Sequence, residues 1–507
     1  MTRGYRGVPG TGPERERLRE KGQFWTPDWV ADAMVAYAAE GDDVVFDPAA
    51  GTGAFLLAVK RLSSLGEKHL RFAGAEIDPD ALTQARESGL SSSDLKSIEV
   101  RDFLLDPPAR QFKAIVANPP YIRHHRVAPH TKLILSRFAG EVLGHRLDGR
   151  AGLHVYFLLR ALQLLDAEGR LAFILPADTF EGVFAGRLWQ WIASRFRIDV
   201  VITFAPEASP FPGVDTNAVV VMIQNRPPGD RFIWACCREA PNENLKAWVA
   251  GGACECETRA LSAHLRSLSE GLATGFSRPP FPQTDVKATL GDYASVMRGI
   301  VTGANDYFFL TTERARELAI PDELLVRAVG RTRDVPGHVL DDSTIRELER
   351  RGRPTLLFRP DGRPATSFCA AVRSYLKTGE EKGIHLGPLI RTRRPWYKME
   401  LRKPPPILFA YLGRRNARFI RNEAGVVPLT SFLCVYPHHP GREFEQALWE
   451  VLTHPDTVAN LRMVGKSYGS GAIKVEPRAL ERLALPACVV TESLTPPGRH
   501  PLLPMQS

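Results

Sequence analysis

Short apolar runs alternate with helical stripes through the first half of the chain. The strand-like runs are Val44-Val45-Phe46, residues 71–77, 98–101 and 113–117, and residues 170–175, each stopped by Gly, Pro, Asp or Asn. Between them, Val30, Met34, Val35 and Tyr37 recur at helical spacing over 28–39. A helix is expected after Phe55, through Lys60. Tyr156, Phe157, Leu159, Ala161, Leu162 and Leu165 mark another, closed by Glu168-Gly169. Thr26 is placed to cap the first of these helices, with Pro27 as its first residue. Strands alternating with helices predict a mostly parallel α/β sheet. Two further β-branched runs, 199–204 and 217–224, are joined by a Pro-rich segment too short for a crossover helix. They are expected to pair antiparallel and end the sheet in a hairpin.

The strand ends carry the chemistry. The run at 113–117 stops at Asn118-Pro119-Pro120-Tyr121, where two prolines forbid helix or ladder continuation and leave a rigid loop at the carboxyl end of a strand. That edge is where open α/β sheets bind ligands. Asn offers a side-chain acceptor, the next residue a backbone carbonyl and Tyr a flat ring, a set that suits a planar amino group beside a ring. The first strand ends in Asp47-Pro48-Ala49-Ala50-Gly51-Thr52-Gly53, whose glycines let backbone turn sharply against a ligand. The second ends in Glu76-Ile77-Asp78-Pro79, a carboxylate where one can accept both hydroxyls of a ribose. The third ends in Asp102-Phe103, an acceptor for an adenine amino group beside an apolar wall. Each motif alone also reads as ordinary strand and turn, and Phe211, flanked by prolines, reads as a loop plug or as an aromatic platform.

Composition narrows the class. With 507 residues, 44% hydrophobic and 24% charged, the chain is long enough for two or three cores. No apolar run reaches the roughly 18 residues of a membrane span, and the first twenty residues lack a signal-peptide core, so a cytoplasmic protein is expected. Seven scattered cysteines read as free thiols. Cys236-Cys237, Cys254, Cys256 and His264 are spaced too tightly for a zinc site, so no metal is expected. The net charge of +9 permits a polyanionic partner without demanding one.

Taken in order, Phe24-Trp25-Thr26-Pro27, the Asp47 to Phe55 loop, Glu76-Ile77-Asp78-Pro79, Asp102-Phe103, Asn118-Pro119-Pro120-Tyr121 and the hairpin carrying Phe211 resemble the γ class of DNA amino-methyltransferases. These are the TaqI-like adenine-N6 enzymes with a C-terminal target-recognition domain. The resemblance implies an α/β fold with a doubly wound, mostly parallel seven-stranded Rossmann-like sheet ending in an antiparallel hairpin, and S-adenosylmethionine as cofactor. It implies that Thr26, Asp47, Pro48, Ala49, Gly51 and Gly53 face the methionine part, that Glu76 holds the ribose, and that Ile77, Asp102 and Phe103 form the adenine pocket. Asn118, Pro119, Pro120 and Tyr121 would hold a flipped adenine, with Phe211, or else Phe204, on its other side.

The expected layout is a flexible basic arm at 1–20, the methyltransferase domain at 21–228, a connector with helical parts such as 260–272 at 229–287, a mixed α+β DNA-recognition domain at 288–490 and a disordered tail at 491–507. Basic and aromatic residues interleave in the second half, a pattern that suits phosphate contacts or a solvated basic face. The resemblance points to Arg298, Thr302 and Asn305; the interleaving marks Arg394, Trp396, Tyr397 and Lys398, with Arg414 and Arg415 in a further cluster; and Lys474 ends a flexible turn that reads as a groove contact or a plain loop. The expected partners are double-stranded DNA and a cognate restriction endonuclease on a separate chain, with the protein a monomer on DNA. Rival acceptors for the same clamp are cytosine N4, RNA and a protein glutamine; the release-factor glutamine enzymes share Asn-Pro-Pro-Tyr-Ile but lack a large basic second half. A DNA-binding protein without activity has no need of Asn118, Tyr121, Glu76 and both glycines together.

Overall fold

The computed structural model describes residues 24–39, 44–64, 69–87, 89–181, 184–212, 217–280, 286–410, 417–468, 472–486 and 494. The expected arm, most of the tail, and Arg414 and Arg415 lie outside these residues. The one described tail residue, Leu494, is fully buried in a hydrophobic cluster. The chain divides into two compact units, residues 1–281 with 467–471, and 282–466 with 472–507.

In the first unit the order is α1 (Asp28–Ala38), β1 (Val44–Asp47), α2 (Ala54–Ser64), β2 (Arg71–Glu76), α3 (Pro79–Glu87), β3 (Ile98–Val100), β4 (Phe112–Ala117), α4 (Pro129–Leu143), α5 (Leu153–Gln163), β5 (Leu165–Pro176), α6 (Ala185–Ala193), β6 (Arg197–Phe204), β7 (Ala218–Gln224), β8 (Arg231–Cys237), β9 (Cys256–Glu257) and β10 (Leu261–Ser267). They form one sheet in the order β3-β2-β1-β4-β5-β7-β6-β8-β10-β9. The strands from β3 to β5 run parallel, and β7 is inserted antiparallel between β5 and β6. β4 explains itself: Ala114 and Val116 face one core and Ile115 and Ala117 the other, all fully buried. A strand covered on both faces must be apolar throughout, which is why it reads as a continuous run. Chain order reverses between β1 and β4, so their carboxyl ends border a topological switch point.

Three expectations need correction. Residues 229–287 are no connector over most of their length: β8 runs parallel to β6, β10 pairs with β8 and β9 with β10, so the sheet has ten strands. The helix expected at 260–272 is the strand β10, whose Leu261 and Ala263 are buried, followed by a short helix, Leu268–Thr274. Helix α5 stops at Gln163, before Glu168-Gly169, and Glu168 instead takes a left-handed turn (φ 62°) within β5.

The second unit is mixed α+β. β11 (Val286–Thr289) pairs with Ala484–Pro486. β12 (Ala294–Arg298), β15 (Val339–Leu340), β17 (Ile407–Ala410), β18 (Arg418–Asn422) and β20 (Phe432–Pro437) form a five-stranded sheet in the order β12-β20-β17-β18-β15. β13 (Phe309–Leu310), β14 (Leu325–Val329), β16 (Leu356–Phe358) and β19 (Val427–Pro428) form a four-stranded one. Just past β12, a Cβ on Gly299 would lie 2.1 Å from the carbonyl oxygen of Leu429, so only glycine fits this crossing. Among the described residues no helix is long and apolar enough to cross a membrane.

Candidate active site

A cleft of about 570 Å³ opens at the carboxyl ends of β1 to β4. Asp47, the last residue of β1, is almost wholly buried. Its Oδ1 accepts the amide of Ala49 at 2.9 Å, while Oδ2 is buried with no partner. Burial drives the Asp47 carboxyl well above the usual carboxylate range, helped by the nearby Glu76. The chain then turns through Gly51 (φ 53°) and Gly53 (φ 87°), left-handed positions that favour glycine. A Cβ on Gly53 would also lie 2.4 Å from Leu90.

This turn orients the acid at the end of β2. The Gly51 amide donates to Glu76 Oε2 at 2.7 Å and the Asp78 amide to Oε1 at 2.8 Å, fixing the carboxylate with acceptor capacity to spare on both oxygens. Asp102 is held likewise, its Oδ1 accepting the amides of Leu104 (2.9 Å) and Leu105 (3.2 Å). Ile77 is 64% exposed on the cleft wall, and Trp25 and Leu105 are exposed there too. Phe103 is buried at the cleft's base, stacked on Phe157. An orphaned carboxylate oxygen, a tethered carboxylate and apolar walls left in water fit a ligand bearing an ammonium, vicinal hydroxyls and a flat ring. S-adenosylmethionine has all three.

At the end of β4, Asn118 lies on the same wall. Its Nδ2 donates to the Phe24 carbonyl at 2.8 Å and to Thr26 Oγ1 at 3.1 Å. With the nitrogen engaged, the amide's carbonyl oxygen is what it can offer a ligand. Thr26 is therefore not the helix cap expected of it. Pro27 caps α1, its carbonyl accepting the amides of Val30 and Ala31, while the Thr26 hydroxyl is buried against Asn118.

Thr26, Asp47, Pro48, Ala49, Gly51, Glu76, Ile77, Asp102, Phe103, Asn118 and Pro120 all line the cleft; Gly53, Pro119, Tyr121 and Phe211 are not part of that lining. Phe211 is 2% exposed, so it is neither platform nor open jaw. It packs in a trio with Phe24 (5.7 Å) and Tyr121 (6.4 Å, rings at 79°), and Phe24 meets Tyr121 at 5.4 Å. Phe204 packs edge-on against Trp29 instead. The Tyr121 hydroxyl is buried without a partner, and burial raises its pKa well above the usual value.

Three residues around the clamp were given no role in it from sequence. Phe24 supplies both the carbonyl for Asn118 and a ring of the trio. His154, at the start of α5, meets Tyr121 edge-on at 5.9 Å with both ring nitrogens buried and unpartnered, and burial lowers its pKa to about 3. Asp178 follows β5 by two residues and is pushed up to about 6 by burial, against the pull of Arg123. Its place just past a strand end was the signal available for it; His154 sits among apolar helix residues and gave none.

In the second unit several expected DNA contacts are structural. Tyr397 is buried and donates to the Arg363 carbonyl (2.8 Å). Trp396 packs on Tyr307 and Phe308 and donates to Glu380 (3.0 Å). Thr302 is buried and donates to Asn305 Oδ1 at 2.5 Å. The periodicity of basic and aromatic residues reflects an aromatic core with a charged rim, not one recognition stripe. Asn305, Arg394 and Lys398 are exposed. Arg298 is ion-paired with Glu476, and the Arg394 guanidinium folds onto the carbonyls of Arg391 and Arg393. Lys474 lies in a short strand, Ala472–Lys474.

Comparison with known proteins assigns both halves. The family model N-6 DNA Methylase matches residues 14–233, and that of the type II methyltransferase M.Eco57I C-terminal domain matches 282–497. The type II methyltransferase M.AccI of Acinetobacter calcoaceticus is 25% identical over 484 residues, covering 92% of this chain and 85% of its own. M.XamI of Xanthomonas campestris pv. amaranthicola is 27% identical over 493 residues, covering 94% and 87%. Among solved structures, the type IIL restriction-modification enzyme MmeI in complex with DNA superimposes with a TM-score of 0.54 at 14% identity. It is matched over 92% of this chain, which spans only 64% of that longer one.

Proposed function

Because this chain is an adenine-N6 DNA methyltransferase of the type II restriction-modification class, an N-6 DNA methylase half followed by an M.Eco57I-type half, we infer that Asn118 and the Pro119 carbonyl receive the two N–H groups of an extruded adenine. The observation that carries this reading is the anchoring of Asn118 Nδ2 to Phe24 and Thr26, which reserves the amide oxygen for a donor. An exocyclic adenine amine is a weak nucleophile because its lone pair is delocalised into the ring. Two fixed acceptors favour a pyramidal nitrogen whose lone pair points away from them, so that rate comes from positioning and electrostatics. S-adenosylmethionine supplies, when bound, an electrophilic methyl group on a sulfonium. Asp47 would hold its ammonium, Glu76 its ribose hydroxyls, and Asp102 its adenine amine, with Ile77 over the ring.

Extruding the base costs a few kcal/mol, offset by contacts in the clamp. Tyr121 supplies the aromatic part of that surface. Phe211 and Phe24 back it, since rings at 79° give no pair of parallel faces to sandwich a base. The chain acts in the cytoplasm as a monomer on duplex DNA, beside a restriction endonuclease carried by another chain. What supports the separate endonuclease is the type II methyltransferase naming of the two relatives matched over most of their length.

Incubation with labelled S-adenosylmethionine and duplex DNA, followed by nucleoside analysis, tests the chemistry. Label in N6-methyladenine is expected, and label in N4-methylcytosine would overturn the acceptor. Asn118→Ala should lower kcat by about 10²–10³, the usual cost of one positioned polar group at a reacting centre, while leaving cofactor and DNA binding in place.

A further inference from the structure

The segment behind the clamp is built for more than crossing the sheet. One α-helix, α2, joins β1 to β2, whereas β4 reaches β5 through two, α4 and α5. Helix α5 is buried along nearly its whole length. Helix α4 buries only the stripe of Leu135, Phe138, Ala139 and Leu143, leaving Leu133 66% and Ile134 39% exposed.

The exposed part of this segment is strongly basic. Residues 123–150 hold six Lys or Arg and four His against two Asp or Glu, a net of +4 in a chain whose total is +9. Of the two acids, Asp148 is already held by Arg150 through bonds of 2.7 and 2.9 Å. Elsewhere on this unit several cations are matched, Arg61 with Asp32, Arg101 with Asp106 and Arg197 with Asp199, while others such as Arg187 stand singly rather than in a cluster. Among the described residues Arg123, Lys132 and Arg137 have no carboxylate within 4 Å; Arg123 feels Asp178 at longer range, and Lys132 and Arg137 have no such partner. Uncompensated positive charge is self-repelling, and a polyanion relieves it.

Position identifies the polyanion. Arg123 follows Tyr121 by two residues, and Arg126, Val127 and Thr131 line the rim of the cleft. A base drawn into the clamp stays covalently attached to its strand, so the phosphates on either side of it must lie at that rim. Resting on the DNA-methyltransferase reading above, we propose that the turn after the clamp and the outer face of α4, with Arg123, Lys132 and Arg137 as its cations, grip the DNA backbone flanking the extruded base.

The test is the salt dependence of DNA binding by the full chain. Each lost phosphate contact lowers the slope of log affinity against log salt by about 0.9. A Lys132→Gln, Arg137→Gln double variant should flatten the slope by about 1.8, with S-adenosylmethionine affinity and melting temperature as in the parent. An Arg187→Gln, Arg231→Gln control, which removes two exposed cations of the same unit outside this segment, should change it little. A slope equal to the parent's, or an equal flattening in the control, would overturn the proposal. So would a change in oligomeric state with the slope intact, which would give this face to a second copy of the chain. Failure of the parent itself to methylate DNA would sink the functional reading instead, so the two failures are separable.

Discussion

The Thr26 hydroxyl lies against the amide of Asn118, the group whose oxygen is reserved for the substrate. A neutral hydrogen bond of this kind contributes about 1 kcal/mol, and its loss lets the amide rotate. Thr26→Ala is therefore expected to lower kcat about fivefold to tenfold at saturating cofactor and DNA, and Thr26→Ser to restore most of it. Single-turnover kinetics on the pair measures the difference, and a Ser variant as slow as Ala would refute the positioning role. This contact was half legible. Phe-Trp-Thr-Pro stood out as a motif, but Thr before Pro also satisfies a helix cap, and nothing local reveals a partner ninety-two residues on. Phe211 shows the same limit: its flanking prolines marked it, yet platform and plug are told apart only by what packs over the ring.

Among elements, α5 carries the buried group with the plainest pH signature. His154 has a folded pKa near 3 against about 6.5 unfolded. A depressed folded value means the unfolded chain binds the proton first, so stability is full above about pH 6.5 and is lost as pH falls toward 3. Between pH 6.5 and 5 the loss is about 2 kcal/mol, at roughly 1.4 kcal/mol per pH unit. In denaturant titrations His154→Phe should lose about that much less than the parent over the same interval; parallel curves would show that the imidazole is hydrated. The elements themselves were largely legible where they border the cleft, because strands buried on both faces write themselves as apolar runs. β10 was missed because polar residues interrupt its apolar ones, and β8, though apolar, because it follows the change of composition at residues 226–229. Residues 229–287 thus read as a linker although Phe232, Ala235, Cys237, Leu261 and Ala263 are all buried.

At the scale of the molecule, each unit has a core of its own. Phe308 is fully buried in a second-unit cluster with Tyr307, Phe358 and Tyr375. Phe308→Ala should cost about 3–5 kcal/mol there, abolishing DNA methylation while calorimetry still finds S-adenosylmethionine bound at near-parent affinity. Loss of cofactor binding in that variant would show the cores to be coupled. Composition gave the basic balance of the chain but not its allocation. Arg394 and Lys398 stayed at the surface beside aromatic residues that turned inward, because a charged side chain pays a heavy desolvation penalty inside and a ring gains by burial.

The unpartnered oxygen of Asp47 has a consequence for energetics. Burial makes its carboxyl hold a proton to higher pH than an ordinary carboxyl in the free protein, whereas an ammonium beside Oδ2 would favour the anion. Wherever the free carboxyl is protonated and the bound one is not, cofactor capture would then expel a proton into the buffer. The heat of binding would vary with the buffer's own ionisation enthalpy, affinity would climb as the solution is made more alkaline across the Asp47 titration, and Asp47→Asn would erase both effects.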